Sequence, residues 1–132
     1  REVLARDPDN VPALNNLAWL LSARSPDEAR GYAERAAELA PESPAVMDTL
    51  GLVLLRQGDE GELDRARRLL IAAAAEMPDS PEVRFHLAMA WSRSGEVGKA
   101  AALLEPLLAT EDAFPGRADA ASLLDRLKGE RP

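Results

Sequence analysis

Apolar residues recur three and four positions apart along most of this chain. The first such stripe consists of Leu14, Leu17, Ala18 and Leu21. Before it, Asn10 provides an N-cap and Pro12 stands in the first turn, where a missing N–H costs nothing. Three- and four-residue spacing is the period of one face of an α-helix. The pattern therefore predicts an all-α fold class.

Turn signals divide the pattern into pairs of helices. Ser25-Pro26-Asp27-Glu28 has the form of a capping box and predicts the start of a second helix, which Ala40-Pro41 ends. Ser43-Pro44 and Ser80-Pro81 predict two later helix starts, and Gly58 predicts a stop between them. We therefore expect short connections between antiparallel neighbours.

The same landmarks occur three times, in units of about 35 residues. Each unit has a leucine followed by a small residue, in the pairs Leu17-Ala18, Leu50-Gly51 and Leu87-Ala88. A second small residue follows, at Ala29, Ala66 or Ala100, and then Pro41, Pro78 or, breaking the pattern, Asp112. The second unit has an insertion at Asp59–Glu62, where we expect a longer turn or an added half-turn of helix.

These landmarks assign one repeat to residues 11–43, a second with a three-residue insertion to 44–80, and a third to 81–114. Residues 1–10 have the form of the end of a preceding repeat, so we expect the chain to continue a longer array. Residues 115–132 are expected to form a C-terminal capping helix and tail. That helix should cover the last apolar face with Ala118, Ala121, Leu124 and Leu127.

Charge and composition narrow the function. With 16 basic and 23 acidic residues the net charge is -7, which disfavours nucleic acid as a partner. Cysteine is absent, His86 is the only histidine, and no apolar run is long enough to insert into a membrane. The glycines at Gly58 and Gly61 enclose acidic residues and lack the lysine of a phosphate-binding loop. We therefore expect no metal, no cofactor and no enzymatic activity.

The repeated landmarks resemble the tetratricopeptide repeat: leucine and a small residue, an aromatic residue, a second small residue, and an exit proline. Trp91 supplies the aromatic in the third unit, whereas Leu21 and Leu54 replace it in the others. The resemblance covers residues 1–114 and implies a right-handed superhelical array of antiparallel helix pairs, ended by a capping helix. It also implies a protein-interaction module that binds a peptide segment or partner protein in its concave groove.

A narrower resemblance concerns the segments Ala13–Leu20, Met47–Gly51 and Phe114-Pro115. They are similar to the C-terminal end of long bacterial repeat proteins, some of which accompany exosortase-type sorting or exopolysaccharide export systems. The compartment stays open between cytoplasm and periplasm. A structural spacer or self-association segment, and hence a homo-oligomer, is the alternative function.

The groove-facing residues follow from helical spacing, because positions three before, one after and four after the small residue share a face. With the two arginines beside this stripe, the candidates are Asn15, Trp19, Asp48, Leu52, Leu55, Arg56, Phe85, Met89 and Arg93. Large apolar groups on a water-facing wall would mark a partner site. Alternatively, neighbouring helices cover some of them. Trp19, Asp48 and Phe85 stand where the family's carboxylate-clamp subclass has its clamp groups, so that clamp is not expected.

Overall fold

The computed structural model describes residues 7–130 and contains, within that range, seven α-helices and no strand. The helices are α1 (Val11–Leu21), α2 (Pro26–Leu39), α3 (Pro44–Gln57), α4 (Leu63–Glu76), α5 (Pro81–Arg93), α6 (Val97–Ala109) and α7 (Arg117–Glu130). The predicted all-α class is confirmed. Residues 1–6 and 131–132 lie outside the described residues, and with them most of the expected end of a preceding repeat and the last residues of the tail.

Polar caps and prolines start the first helix of each pair. The side chains of Asn10, Ser43 and Ser80 accept hydrogen bonds from backbone N–H groups three residues later. A proline follows in the first turn each time. The capping box predicted at Ser25 is wrong, although α2 does begin at Pro26. With φ -142° and ψ 66°, the Ser25 backbone lacks the extended geometry of the other caps, and its side chain makes no capping hydrogen bond.

The predicted insertion is a short 3-10 helix, Glu60–Glu62, between α3 and α4. The αL residue Gly58 (φ 79°) ends α3, and the Asp59 side chain then accepts the Gly61 N–H. The extra residues therefore form a local turn, and the packing of α3 on α4 is kept.

Successive helices pack on each other, with α1 on α2, α3 on α4 and α5 on α6. The first helices of the pairs also contact one another in order, α1 with α3 and α3 with α5, and α7 contacts both α6 and α5. A stack in which one row of helices lies closer together than the other curves toward that row. The row α1, α3, α5 and α7 is therefore the inner, concave side.

The repeated small residues lie where paired helices approach most closely. Ala18, Gly51 and Ala88 are buried, and a Cβ added to Gly51 would lie 2.6 Å from the Leu70 Cγ. The second small residues, Ala29, Ala66 and Ala100, are completely buried. Small side chains are thus required by the distance between helix axes rather than by helix propensity.

The face that α7 buries differs from the predicted one. Leu124 and Leu127 are buried as expected, but Ala118 and Ala121 are exposed, and Ala120 and Leu123 are buried instead. Burying a leucine side chain removes far more apolar area from water than burying an alanine does. Leu123 therefore decides the orientation of α7.

Candidate binding groove

Two cavities open on the concave row of helices. The larger, about 330 Å³, lies between α3, α5 and α7, and its lining includes Leu55, Arg56, Met89, Arg93, Asp119 and Arg126. The smaller, about 260 Å³, lies between α1, α3, α5 and the start of α7, and its lining includes Trp19, Leu20, Leu52, His86 and Gly116. Because Arg56, Phe85 and Asp119 line both, the cavities adjoin. We call the two together the groove.

Seven of the nine predicted residues line this groove, but several do not face water as expected. Leu52, Leu55 and Phe85 are only 1%, 3% and 4% exposed, so they form its floor. Trp19 is 43% exposed, and Met89 is half-buried. Of the two alternatives that the sequence left open, cover by neighbouring helices therefore applies to these three residues, whereas Trp19 and Met89 keep exposed area.

The cover over Phe85 is visible at Gly116. This glycine has φ +90°, and a Cβ added to it would lie 3.0 Å from the Phe85 Cε2. The turn before α7 therefore passes directly against the aromatic ring. A glycine is needed there both for the positive φ and for the close approach.

Asn15 and Asp48 line neither cavity. Asp48 is buried, and its Oδ1 lies 2.8 Å from the Nδ1 of His86, which is buried too. This pair joins α3 to α5 beside the smaller cavity and provides each polar group with a partner. Asn15 is half-buried, and its Oδ1 has no hydrogen-bond partner within the described part of the chain. Helical spacing predicted Asp48 on the groove-facing stripe because spacing carries no information on a partner from another helix.

Two arginines of the first helices are held in place by neutral acceptors. The Nη1 of Arg56 donates to the Ser22 Oγ at 2.7 Å, and Arg93 donates to the carbonyl oxygen of Leu55. Burial lowers the pKa of Arg56, while the Asp119 carboxylate has the opposite, smaller effect. Arg93 also lies 3.6 Å from the exposed carboxylate of Glu60. The larger cavity is therefore lined by cationic groups in an acidic chain.

The contribution of α7 to the groove is absent from the sequence-based site. Asp119, Ser122 and Arg126 line the larger cavity together with the first helices. Their spacing of three and four residues places them on one side of a helix, which is the signal that would have identified them. The sequence predicts α7 only as a cover for the array, so the predicted site contains residues of the first helices alone.

The described residues offer neither a metal site nor a membrane-spanning helix. Among residues 7–129, no group of three or more His, Asp or Glu side chains is arranged to hold a metal ion. No helix in the described range is both long and apolar enough to cross a membrane.

Comparisons with known proteins agree with this architecture. The family model described as tetratricopeptide repeat matches residues 59–127. A TPR repeat-containing protein of Pseudomonas aeruginosa is 40% identical over 70 residues. These residues are 52% of this chain, and the match spans only 12% of that relative's length.

Solved structures share the fold at low sequence identity. The type III secretion chaperone SycD of Yersinia enterocolitica, in complex with a peptide of the translocator YopD, has a TM-score of 0.69 at 20% identity, covering 94% of this chain and 96% of that one. An alternative dimer of SycD has a TM-score of 0.69 at 20% identity, covering 92% and 94%. The TPR protein TTC0263 of Thermus thermophilus has a TM-score of 0.69 at 24% identity, covering 93% and 68%. Because the tetratricopeptide repeat model matches more than half of this chain, the chain belongs to the tetratricopeptide repeat family.

Proposed function

We propose that this chain is a protein-interaction module that holds a peptide segment of a partner protein in the groove. The observation that carries this proposal is the pair of adjoining cavities on the concave side, lined by both apolar and charged side chains. Their combined size is that of a site for a few side chains rather than for a whole domain. The SycD structure, which shares the fold, contains a peptide of its translocator.

The groove residues have three different roles in this proposal. Leu52, Leu55 and Phe85 form a rigid floor, because each is already packed in the free protein. Trp19 and Met89 retain exposed apolar area, which a partner would remove from water. A preformed floor means that binding orders few side chains, and this lowers the entropic cost of association.

The proposed module is non-catalytic and has a protein as its partner. Binding in this groove needs neither catalysis nor a cofactor, and the acidic net charge of -7 favours protein over nucleic acid. We also propose that the three repeats span residues 11–43, 44–80 and 81–114. Attachment to an exosortase or exopolysaccharide-export system stays a prediction from the narrower resemblance.

Peptide display tests the proposal directly. Random 16-residue peptides fused to a phage coat protein are selected on the wild-type chain, and the enriched sequences are synthesised for affinity measurements. We expect Trp19→Ala or Met89→Ala to weaken binding about tenfold, since each truncates an exposed apolar side chain that a bound peptide would cover. Ile71→Ala is the matched control, because Ile71 is 41% exposed but lies on the second-helix side in α4. Peptides that bind all three variants as well as the wild type would contradict the groove as the site.

Self-association is the second candidate, and the exposed neighbours Trp19 and Leu20 favour it. They are 43% and 64% exposed and together present an apolar patch at α1. A dimer through this patch predicts a sedimentation coefficient that rises with concentration and loses this dependence in Trp19→Ala/Leu20→Ala. A monomer at every concentration would exclude it.

A further inference from the structure

The larger cavity combines an apolar floor with an uneven charge distribution. Three arginines line it, Arg56 from α3, Arg93 from α5 and Arg126 from α7, whereas Asp119 is the one carboxylate in its described lining. The chain as a whole has more acidic than basic residues, with a net charge of -7. Arginines that three separate helices bring to one cavity, against that overall balance, create a local positive potential.

Arg56 is held by a neutral partner rather than by a close carboxylate. Its guanidinium is bound by the neutral Ser22 hydroxyl at 2.7 Å, and no carboxylate of residues 7–129 lies within ion-pair distance of it. Ser22 is itself completely buried and donates to the Trp19 carbonyl oxygen at 2.8 Å, so its position is well determined. Arg56 is therefore held by one neutral acceptor, and its charge is available to a ligand.

Arg93 is oriented by the backbone and only weakly paired. Its guanidinium donates to the carbonyl oxygen of Leu55, which is the residue before Arg56. This hydrogen bond joins α5 to α3 at the cavity. Its acidic neighbour, Glu60, is 3.6 Å away with a side chain that is 80% exposed. Because water screens such a pair, an incoming carboxylate competes with it at little cost.

Apolar side chains lie directly beside these cations. Leu55, Phe85, Met89 and Leu123 line the same cavity, whose volume of about 330 Å³ is at the lower end of small-ligand sites. That space suits one or two side chains.

Resting on the proposed function, we infer that the larger cavity binds a partner segment in which an aspartate or glutamate stands beside a large apolar residue. The carboxylate pairs with Arg56 and Arg93, and the apolar side chain packs on Met89 and the floor.

The predicted ligand differs from a free chain terminus. Arginine favours planar, bidentate carboxylate contacts, which an internal acidic side chain satisfies as well as a C-terminus does. Peptides displayed as coat-protein fusions have no free C-terminus, so selection from that library reports on internal acidic residues alone. We expect enrichment of Asp or Glu next to Leu, Phe or Met.

Affinity measurements on one enriched peptide, synthesised with an amidated C-terminus, complete the test. Arg56→Gln and Arg93→Gln should each weaken binding about tenfold, the usual magnitude for a charge-assisted hydrogen bond. Arg56→Lys should retain part of the affinity. Arg68→Gln is the matched control, because Arg68 is exposed on α4 and lines neither cavity. Raising sodium chloride from 0.05 to 0.5 M should weaken wild-type binding by several-fold.

A peptide-side exchange keeps the test decisive if Arg56→Gln loses helicity by circular dichroism. Replacing the peptide's Asp by Asn, or its Glu by Gln, should cost the same tenfold without altering the protein. Enriched peptides without acidic residues, or acidic peptides indifferent to this exchange, would overturn the inference and leave the groove intact. A library that gives no binders would overturn the proposed function and this inference together.

Discussion

The α1 end of the groove and its middle are built from equivalent repeat positions and yet differ in exposure. Trp19 in α1 is 43% exposed, whereas its counterpart Leu52 in α3 is 1% exposed, and Met89 in α5 is intermediate. In the described residues α1 contacts a first helix on one side only, α3 has such neighbours on both sides, and α5 lies between α3 and α7. Exposure along the groove is therefore decided by neighbouring helices rather than by position within a repeat.

The two halves of the described stack are also joined by different chemistry. In the first half, ion pairs link α2 to α4 and to the 3-10 helix before it, with Glu34 2.6 Å from Arg65 of α4 and Arg30 3.4 Å from Glu62 of the 3-10 helix. In the second half, the Trp91 ring centroid lies 5.9 Å from the Arg67 Cζ and 4.4 Å from the Lys99 Nζ. The ion pairs make the first half the more sensitive to acid, whereas the second half, whose apolar cluster includes Leu123, Leu124 and Leu127, should be the more sensitive to loss of α7.

The largest effect should come from truncating a buried side chain of α7, the helix that covers the C-terminal end of the stack. Leu127→Ala in α7 removes a side chain that is 1% exposed and should cost about 2–5 kcal/mol. Leu20→Ala in α1, at the other end of the described stack, truncates a leucine that is 64% exposed and should change stability by about 0.5 kcal/mol or less. Urea unfolding followed by circular dichroism measures both. Equal losses would mean that the two ends do not differ as described.

Gly116→Ala should cost about 3 kcal/mol, because it combines a positive φ with the contact to Phe85. Gly95→Ala is the matched control, since Gly95 has φ +80° but no atom within 4 Å of an added Cβ. It should cost only the backbone part, about 1–2 kcal/mol. Thermal unfolding of the two variants isolates the Phe85 contact as their difference. No difference would show that the Phe85 ring moves aside freely.

Arg117→Ala should lower stability by about 2 kcal/mol, because Arg117 satisfies carbonyl groups at the end of α6. Its guanidinium donates to the carbonyl oxygens of Thr110 at 2.7 Å and Asp112 at 2.9 Å. Limited proteolysis in the segment between α6 and α7 should accelerate in this variant. Arg126→Ala, on the exposed part of the same helix, serves as the control. If both variants are cleaved equally fast, the contacts of Arg117 do not secure this segment.

The smallest effect concerns acid. The hydrogen bond from Arg65 holds the pKa of Glu34 below its ordinary value of 4.5, and burial opposes this only partly. A lowered folded-state pKa contributes stability that is present above about pH 4.5 and is lost as the pH falls through the folded value. Glu34→Gln should therefore be less stable than the wild type at pH 7 and lose less below pH 4.5. Glu38→Gln, at a side chain that is 67% exposed, should keep the wild-type profile.

Much of the fold could be predicted because its signals are local. Asn10, Ser43 and Ser80 act on backbone groups three residues away, and Gly58 ends α3 through its own φ. The exception is Ser25, whose sequence fits a capping box but whose backbone does not take the required geometry. A motif predicts where a helix starts, whereas the connection between two packed helices decides whether the cap forms.

The candidate site was less predictable because its members come from distant parts of the chain. Helical spacing predicted Arg56, Met89 and Arg93 on or beside the groove-facing stripe, and all three line the larger cavity. It did not show that His86 would pair with Asp48, 38 residues earlier, or that Gly116 would cover Phe85. Nor did it separate the face of α7 containing Leu123 from the one containing Ala121. Each of these depends on which surface another helix presents.

The sequence by itself determined the helices, their pairing and the small residues at their contacts, since the same landmarks recur with the period that close packing requires. The tertiary structure alone decided which groove positions stay open to a partner. The reason is that burial is a property of neighbours: Trp19 and Leu52 hold one place in the repeat, but within residues 7–130 only the helix of Leu52 has a first helix on each side. The three arginines of the larger cavity, too, became one cationic site only when α3, α5 and α7 came together.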